Sequence, residues 1–204
     1  MKRAGTQHRP FPVRRVEAVV LGASAGGIDA LSAVPDGLPA NWRIPMAVVL
    51  HLPESHESHL AEIFAQRLPI PVHEALDKMP LVDGCLYFAP PGYHLSIERG
   101  RRFSLSCEPP VLLPAPPTDV PLAPPADAYG SSVAGFLMTG ANEDGAEGLL
   151  RIHRAGGLTA VQDPKEALVP TMPLAAIARH APDHVLRLRD LRILLQLLEP
   201  AHAH

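Results

Sequence analysis

Three short segments carry residues whose types and spacing suit acyl transfer. Gly22-Ala23-Ser24-Ala25-Gly26-Gly27 contains the G-x-S-x-G pattern, in which small neighbours let the chain turn sharply and leave a serine hydroxyl exposed. Such a serine stands at a helix N-terminus, where the Ala25 N–H can face a developing oxyanion. Taken alone, the pattern describes a glycine-rich strand-to-helix turn, which serves phosphate binding or plain turning equally well. His51-Leu52-Pro53 adds an imidazole, whose ordinary pKa suits a general base near neutrality. Thr139-Gly140-Ala141-Asn142-Glu143-Asp144-Gly145 adds two adjacent carboxylates, Glu143 and Asp144, either of which would hold the imidazole tautomer and stabilise imidazolium. Spacing does not choose between them, and acids at a helix start are favourable without any catalysis.

What unites the three segments is their place after apolar runs. Ala18-Val19-Val20-Leu21 precedes the first, Ala47 to Leu50 the second and Val133 to Met138 the third. Continuous apolar runs of this length fit strands buried on both faces of a parallel sheet. Helical stretches are expected from about Gly26 to Val34, over Leu60, Ile63, Phe64 and Leu68 as one buried face, and from Gly145 to Arg154. A further strand is expected at Leu158 to Val161, with short helices near Leu174 to Arg179 and Leu191 to Leu198. Alternation of this kind predicts an α/β fold, a three-layer doubly wound, mostly parallel sheet. Ligands of such sheets bind beyond the carboxyl ends of the strands, so the three loops are expected to converge.

The middle of the chain departs from this rhythm. Cys85 to Phe88 reads as a strand, and Leu95 to Ile97 with Phe103 to Ser106 reads as a β-hairpin around Gly100. From Pro109 to Pro125 prolines are too frequent for a helix interior or a central strand, so an extended surface loop is expected. Residues 1–15 read as a polar extension without the apolar core of a signal peptide, 16–198 as one domain and 199–204 as a tail.

Bulk properties exclude several function classes. The 204 residues are 47% hydrophobic and 19% charged, with a formal net charge of −3. No basic block marks a nucleic-acid partner, and no apolar run approaches the ~20 residues of a membrane span. Cys85 and Cys107 lie in strand-like segments and are read as buried free thiols of a cytoplasmic protein. His56 and His59 share helical spacing near Glu54 and Glu57, but a solvated helix start accounts for them, and no metal or cofactor is expected.

The three loops together resemble the signature loops of CheB-type protein-glutamate methylesterases. Supporting stretches are similar as well: Leu86-Tyr87-Phe88-Ala89-Pro90-Pro91, Ala155-Gly156-Gly157, Val161-Gln162-Asp163-Pro164 and Met172-Pro173. The resemblance runs in family order from about Val16 to Leu198. It implies Ser24 as nucleophile, His51 as base and then acid, and Asp144 rather than Glu143 as the histidine's partner. It implies backbone oxyanion donors at Ala25 and Ala141, and a cleft-lining role for His94, where the family also has a histidine. The order Ser…His…Asp differs from the Ser…Asp/Glu…His order of α/β-hydrolases. The implied substrate is a methylated chemoreceptor-like protein, with a methyltransferase or histidine kinase in the same pathway; glutamine deamidation is implied as a second activity.

Three departures accompany the resemblance, one of them Ala141 and Glu143 where many members carry methionine and asparagine. Where the family has an Arg-Pro-Ser-(Ile/Val)-Asp-Val-Leu-Phe stretch leading into a helix, this chain has Ala115-Pro116-Pro117-Thr118-Asp119-Val120-Pro121-Leu122. About fifteen residues before the first strand leave no room for the receiver domain common in the family, so a standalone catalytic domain is expected. The alternatives are a catalytically degenerate domain that binds signalling proteins and, more remotely, a nucleotide-dependent oxidoreductase. The latter lacks a Tyr-x-x-x-Lys pair and a ribose-binding acid after the second strand.

Overall fold

Apolar runs of three to six residues become the inner strands of one parallel sheet. The computed structural model describes residues 11, 14–50, 58–98, 100–106, 129–143 and 145–201. In chain order the strands are β1 (Arg15–Val16), β2 (Ala18–Ala23), β3 (Met46–Leu50), β4 (Val72–Glu74), β5 (Leu86–Phe88), β6 (His94–Glu98), β7 (Arg102–Ser106), β8 (Val133–Leu137), β9 (Leu158–Gln162), β10 (His184–Leu186) and β11 (Glu199–Pro200). The helices are α1 (Gly27–Ala33), α2 (Leu60–Ala65), α3 (Ala146–Arg154), α4 (Thr171–Arg179) and α5 (Leu188–Gln196). Seven strands form the main sheet in the order β10-β9-β8-β2-β3-β5-β4, every pair parallel.

Side-chain alternation along the strands builds the three layers. In β2, Val19, Leu21 and Ala23 join a core with α1, α2 and α5, whereas Ala18 and Val20 face the opposite layer. On that side α3 and α4 pack over β2, β8 and β9, through Val20, Leu137, Leu149, Ile152, Met172 and Ala176. The antiparallel pair β6–β7 covers the sheet beside them, with Phe103 against Tyr87 at a ring separation of 4.8 Å. All six β2 residues and all five β8 residues are buried, as strands covered on both faces must be.

The α/β class, the parallel sheet and the hairpin agree with the reading of the sequence, and details differ for physical reasons. Ile63 is 48% exposed and does not share the buried face with Leu60 and Phe64. Helix α2 has only six residues, so Leu60 and Phe64, four apart, aim at the sheet while Ile63 falls about 100° around the axis. Strands β4 and β10 were not anticipated: both are three-residue edge strands, too short for alternation to register. Glu199 and Pro200, read as the start of a tail, pair as β11 with β1, so the two ends of the domain are tied together. Cys85 is a buried free thiol; Cys107 and the segment 109–125 lie outside the described residues.

Candidate active site

The sheet order makes a crevice. From β2 the chain crosses to β3, and from β8 it crosses to β9 on the other side. Adjacent parallel strands whose connections leave in opposite directions open a gap at their carboxyl ends, the usual ligand position in such sheets. Ser24 follows β2 and Thr139 follows β8, so both loops stand at this switch point. On the other flank of β2, Leu50, immediately before His51, pairs with Ala23, immediately before Ser24. His51 and Asp144 themselves lie outside the described residues.

The turn at Ser24 is held by both sides of its backbone. Its N–H donates to Thr139 O (2.9 Å), and its carbonyl accepts from Gly27 N (2.7 Å). Because N–H and C=O are antiparallel in a trans peptide, pinning Ser24 O directs the Ala25 N–H away from Gly27. Gly26 then takes φ +75°, a left-handed turn that opens α1, and a Cβ there would meet Leu168 Cδ2 at 2.8 Å. Gly27 is needed for a different reason: a Cβ would come within 2.5 Å of Leu50 Cδ1 and 2.8 Å of Ala23 Cβ.

The loop after β8 is fixed in the same manner. Gly140 N donates to Val169 O (3.1 Å) and Gly140 O accepts from Met172 N (3.0 Å), so the Ala141 N–H points away from Met172. Thr139, only 2% exposed, has every polar group engaged. Its N–H donates to Gln162 Oε1 (2.8 Å), its hydroxyl donates to Ala25 O (2.9 Å) and the same hydroxyl accepts from Val169 N (2.9 Å). Thr139 Oγ1 also lies 3.3 Å from Val169 O, the longer approach, so the single hydroxyl proton goes to the nearer acceptor, Ala25 O. The connection from Asp163 to Pro170 is a third loop at the site. It turns on Asp163, whose carbonyl accepts from Glu166 N and Ala167 N and whose side chain accepts from Lys165 N.

Glu143, the competitor for the acidic role, is turned to other work. Its side chain is 65% exposed and pairs with Arg179 of α4 at 3.2 Å, and Arg179 also reaches Glu147 of α3 at 3.4 Å. Among the sequence-read candidates, then, Ser24, Ala25 and Ala141 are brought to one edge of the sheet. His94 opens β6 opposite Ser106, in the separate two-stranded sheet, and is partly buried there. His59 hydrogen-bonds Glu62 at the start of α2 (3.2 Å), while His56 lies outside the described residues. No group of three or more His, Cys, Asp and Glu side chains that would suit a metal ion occurs among the described residues.

Comparison with known proteins gives this geometry a context. A family model described as CheB methylesterase matches residues 19–195. The chain belongs to the CheB methylesterase family. A CheB-family relative from Leptospira interrogans serogroup Icterohaemorrhagiae serovar copenhageni (strain Fiocruz L1-130), named "Putative protein-glutamate methylesterase/protein-glutamine glutaminase", is 38% identical over 175 residues, covering 86% of this chain and 91% of the relative. The protein-glutamate methylesterase/protein-glutamine glutaminase 1 of Hahella chejuensis (strain KCTC 2396) is 38% identical over 196 residues, covering 93% of this chain. The chain spans about half of that relative, 54% of its length. The crystal structure of the Thermotoga maritima CheB methylesterase catalytic domain matches with a TM-score of 0.80 at 28% identity, covering 89% of this chain and 97% of that one.

Within this CheB methylesterase domain, sequence reasoning passed over Thr139, Gln162 and Val169 as working parts. A signal for the first two was present. Thr139 is a buried polar residue just past the apolar strand β8 and Gln162 one at the end of β9, where an unpartnered hydroxyl or amide would be costly. Val169 gave none, because it contributes only its backbone.

Proposed function

We propose that the chain hydrolyses γ-glutamyl methyl esters on a chemoreceptor-like protein, with Ser24 as nucleophile, His51 as general base and then acid, and Asp144 orienting His51. The observation that carries this reading is the position of Ser24 on a pinned strand-to-helix turn, at the switch point of a CheB methylesterase domain. Ser24 Oγ attacks the ester carbonyl as His51 takes its proton. Negative charge collects on the carbonyl oxygen, facing the Ala25 and Ala141 N–H groups, whose peptides are each locked from the preceding carbonyl. Collapse of the tetrahedral intermediate expels methanol with the proton from His51. Water, activated by His51, then releases glutamate from the acyl-enzyme. A glutaminyl side chain enters the same route and releases ammonia, which supports a second activity as a glutaminase. His94 is proposed to line the cleft.

The receptor substrate implies a methyltransferase that places the esters, and a histidine kinase in the same pathway, in the cytoplasm where receptor signalling domains are modified. No described helix is long and apolar enough to cross a membrane. The test is methanol release from membranes bearing a methylated chemoreceptor. Ser24→Ala is expected to lower the rate by roughly 10⁴-fold or more; full release by that variant overturns the reading.

A further inference from the structure

We propose that Thr139 is a positioning residue for the reaction, acting through Ala25 and Ser24 without touching substrate; this rests on Ser24 being the nucleophile. The fold by itself asks of this position only a buried β-branched side chain at the end of β8. Valine would satisfy that without burying a hydroxyl. The hydroxyl instead spends both of its hydrogen-bonding roles on loops outside its own strand, donating to Ala25 O and accepting from Val169 N, each at 2.9 Å.

Those two bonds fall where the site needs rigidity. Ala25 lies between two peptide planes. The first, Ser24–Ala25, is held by Gly27 N on Ser24 O, and the second, Ala25–Gly26, is held by the Thr139 hydroxyl on Ala25 O. With both planes fixed, the Ala25 N–H keeps one direction, although its neighbour is Gly26, the residue with the most backbone freedom in the turn. Thr139 O holds Ser24 N as well, so one residue just beyond β8 orients both the nucleophile and the donor beside it. Val169 N, on the same hydroxyl, anchors the loop whose Leu168 lies beside Gly26. Oxyanion donors act by standing aimed before charge develops, so loosening one lowers kcat and leaves substrate affinity unchanged.

The experiment compares Thr139→Val, Thr139→Ser and Ser24→Ala in the full chain, using p-nitrophenyl acetate hydrolysis, labelling by a fluorophosphonate and inhibition by phenylboronic acid, which forms a tetrahedral adduct on serine. Thr139→Val is expected to cut kcat and the labelling rate roughly 10- to 100-fold, with KM within about twofold. Inhibition by the boronic acid should weaken by the same factor as kcat, and Thr139→Ser should restore all three. Wild-type rates in Thr139→Val, or failure of Thr139→Ser to restore them, overturn the proposal. Should Thr139→Val not fold, Thr139→Cys, with a weaker donor of similar size, takes its place, with the same ordering expected. Ser24→Ala separates the two levels of inference. If it hydrolyses and labels like wild type, the nucleophile reading fails and this proposal with it. If it is inert while Thr139→Val is unimpaired, only the role of Thr139 falls.

Discussion

At the scale of single residues, the turn after β2 shows how little freedom Ser24 is left. Gly26 combines a left-handed φ of +75° with a tight approach to Leu168, and the two constraints separate experimentally. An L-residue in that backbone region costs about 1–2 kcal/mol, whereas Leu168 Cδ2, on a side chain 74% exposed, can swing away and leaves only Leu168 Cβ, 3.0 Å from the new Cβ. Gly26→Ala is therefore expected to lower unfolding stability by about 1–2 kcal/mol in urea titrations. Adding Leu168→Ala should recover only the small steric part. Recovery of full stability in the double variant would mean that contact, not backbone strain, dictates glycine here.

Among the elements, α3 and α4 matter most, because α3 begins directly after the loop that carries Asp144 and α4 begins where Met172 N holds Gly140 O. At their far ends the His180 ring lies against His153, tilted, with centroids 4.8 Å apart, and both His180 ring nitrogens are buried without a hydrogen-bond partner among the described residues. Burial pushes the His180 pKa below its ordinary 6.5; the charges of His153 and Arg154 act in the same direction and Asp183 opposes them. A lowered folded-state pKa means that the unfolded chain binds the proton more readily. The resulting stability is fully present above about pH 6.5 and is lost as pH falls through the lowered value. His184, also lowered chiefly by burial, adds to the same trend. Melting temperature should thus fall from pH 7.5 to 5, and His180→Leu should flatten that slope; an unchanged slope would assign the acid sensitivity to other groups.

Across the whole molecule, the site depends on three central strands keeping their register. Gly22 pairs with Leu137 and Ala23 with Leu50, so the positions of the three loops follow from β8, β2 and β3 lying side by side. Phe136, fully buried in β8, packs in the core with α1, α2 and α5. Phe136→Ala is expected to cost about 3–5 kcal/mol in urea unfolding, with kcat of the remaining folded fraction little changed, because no bond at the switch point runs through that side chain. A large fall in kcat of the folded protein would show that core packing itself aims Ser24.

The sequence by itself determined the fold class and the serine turn, since both are written in local terms. Continuous apolar strands can only be buried on two faces, and Gly22 and Gly26 flank a serine that a sharp turn sets at the carboxyl end of β2. It also marked out the hairpin through Gly100 and its flanking alternation. Strands β4 and β10 escaped notice because three residues carry no period, and the exposure of Ile63 because a six-residue helix buries too few positions to form a full face. The bonds of the Thr139 hydroxyl are visible only in three dimensions. That hydroxyl joins Ala25 to Val169, 114 and 30 residues away along the chain, so sequence spacing could not have paired them. Parallel strands bring distant loops to one edge, and which loops meet there is decided by the order in which the strands are laid down.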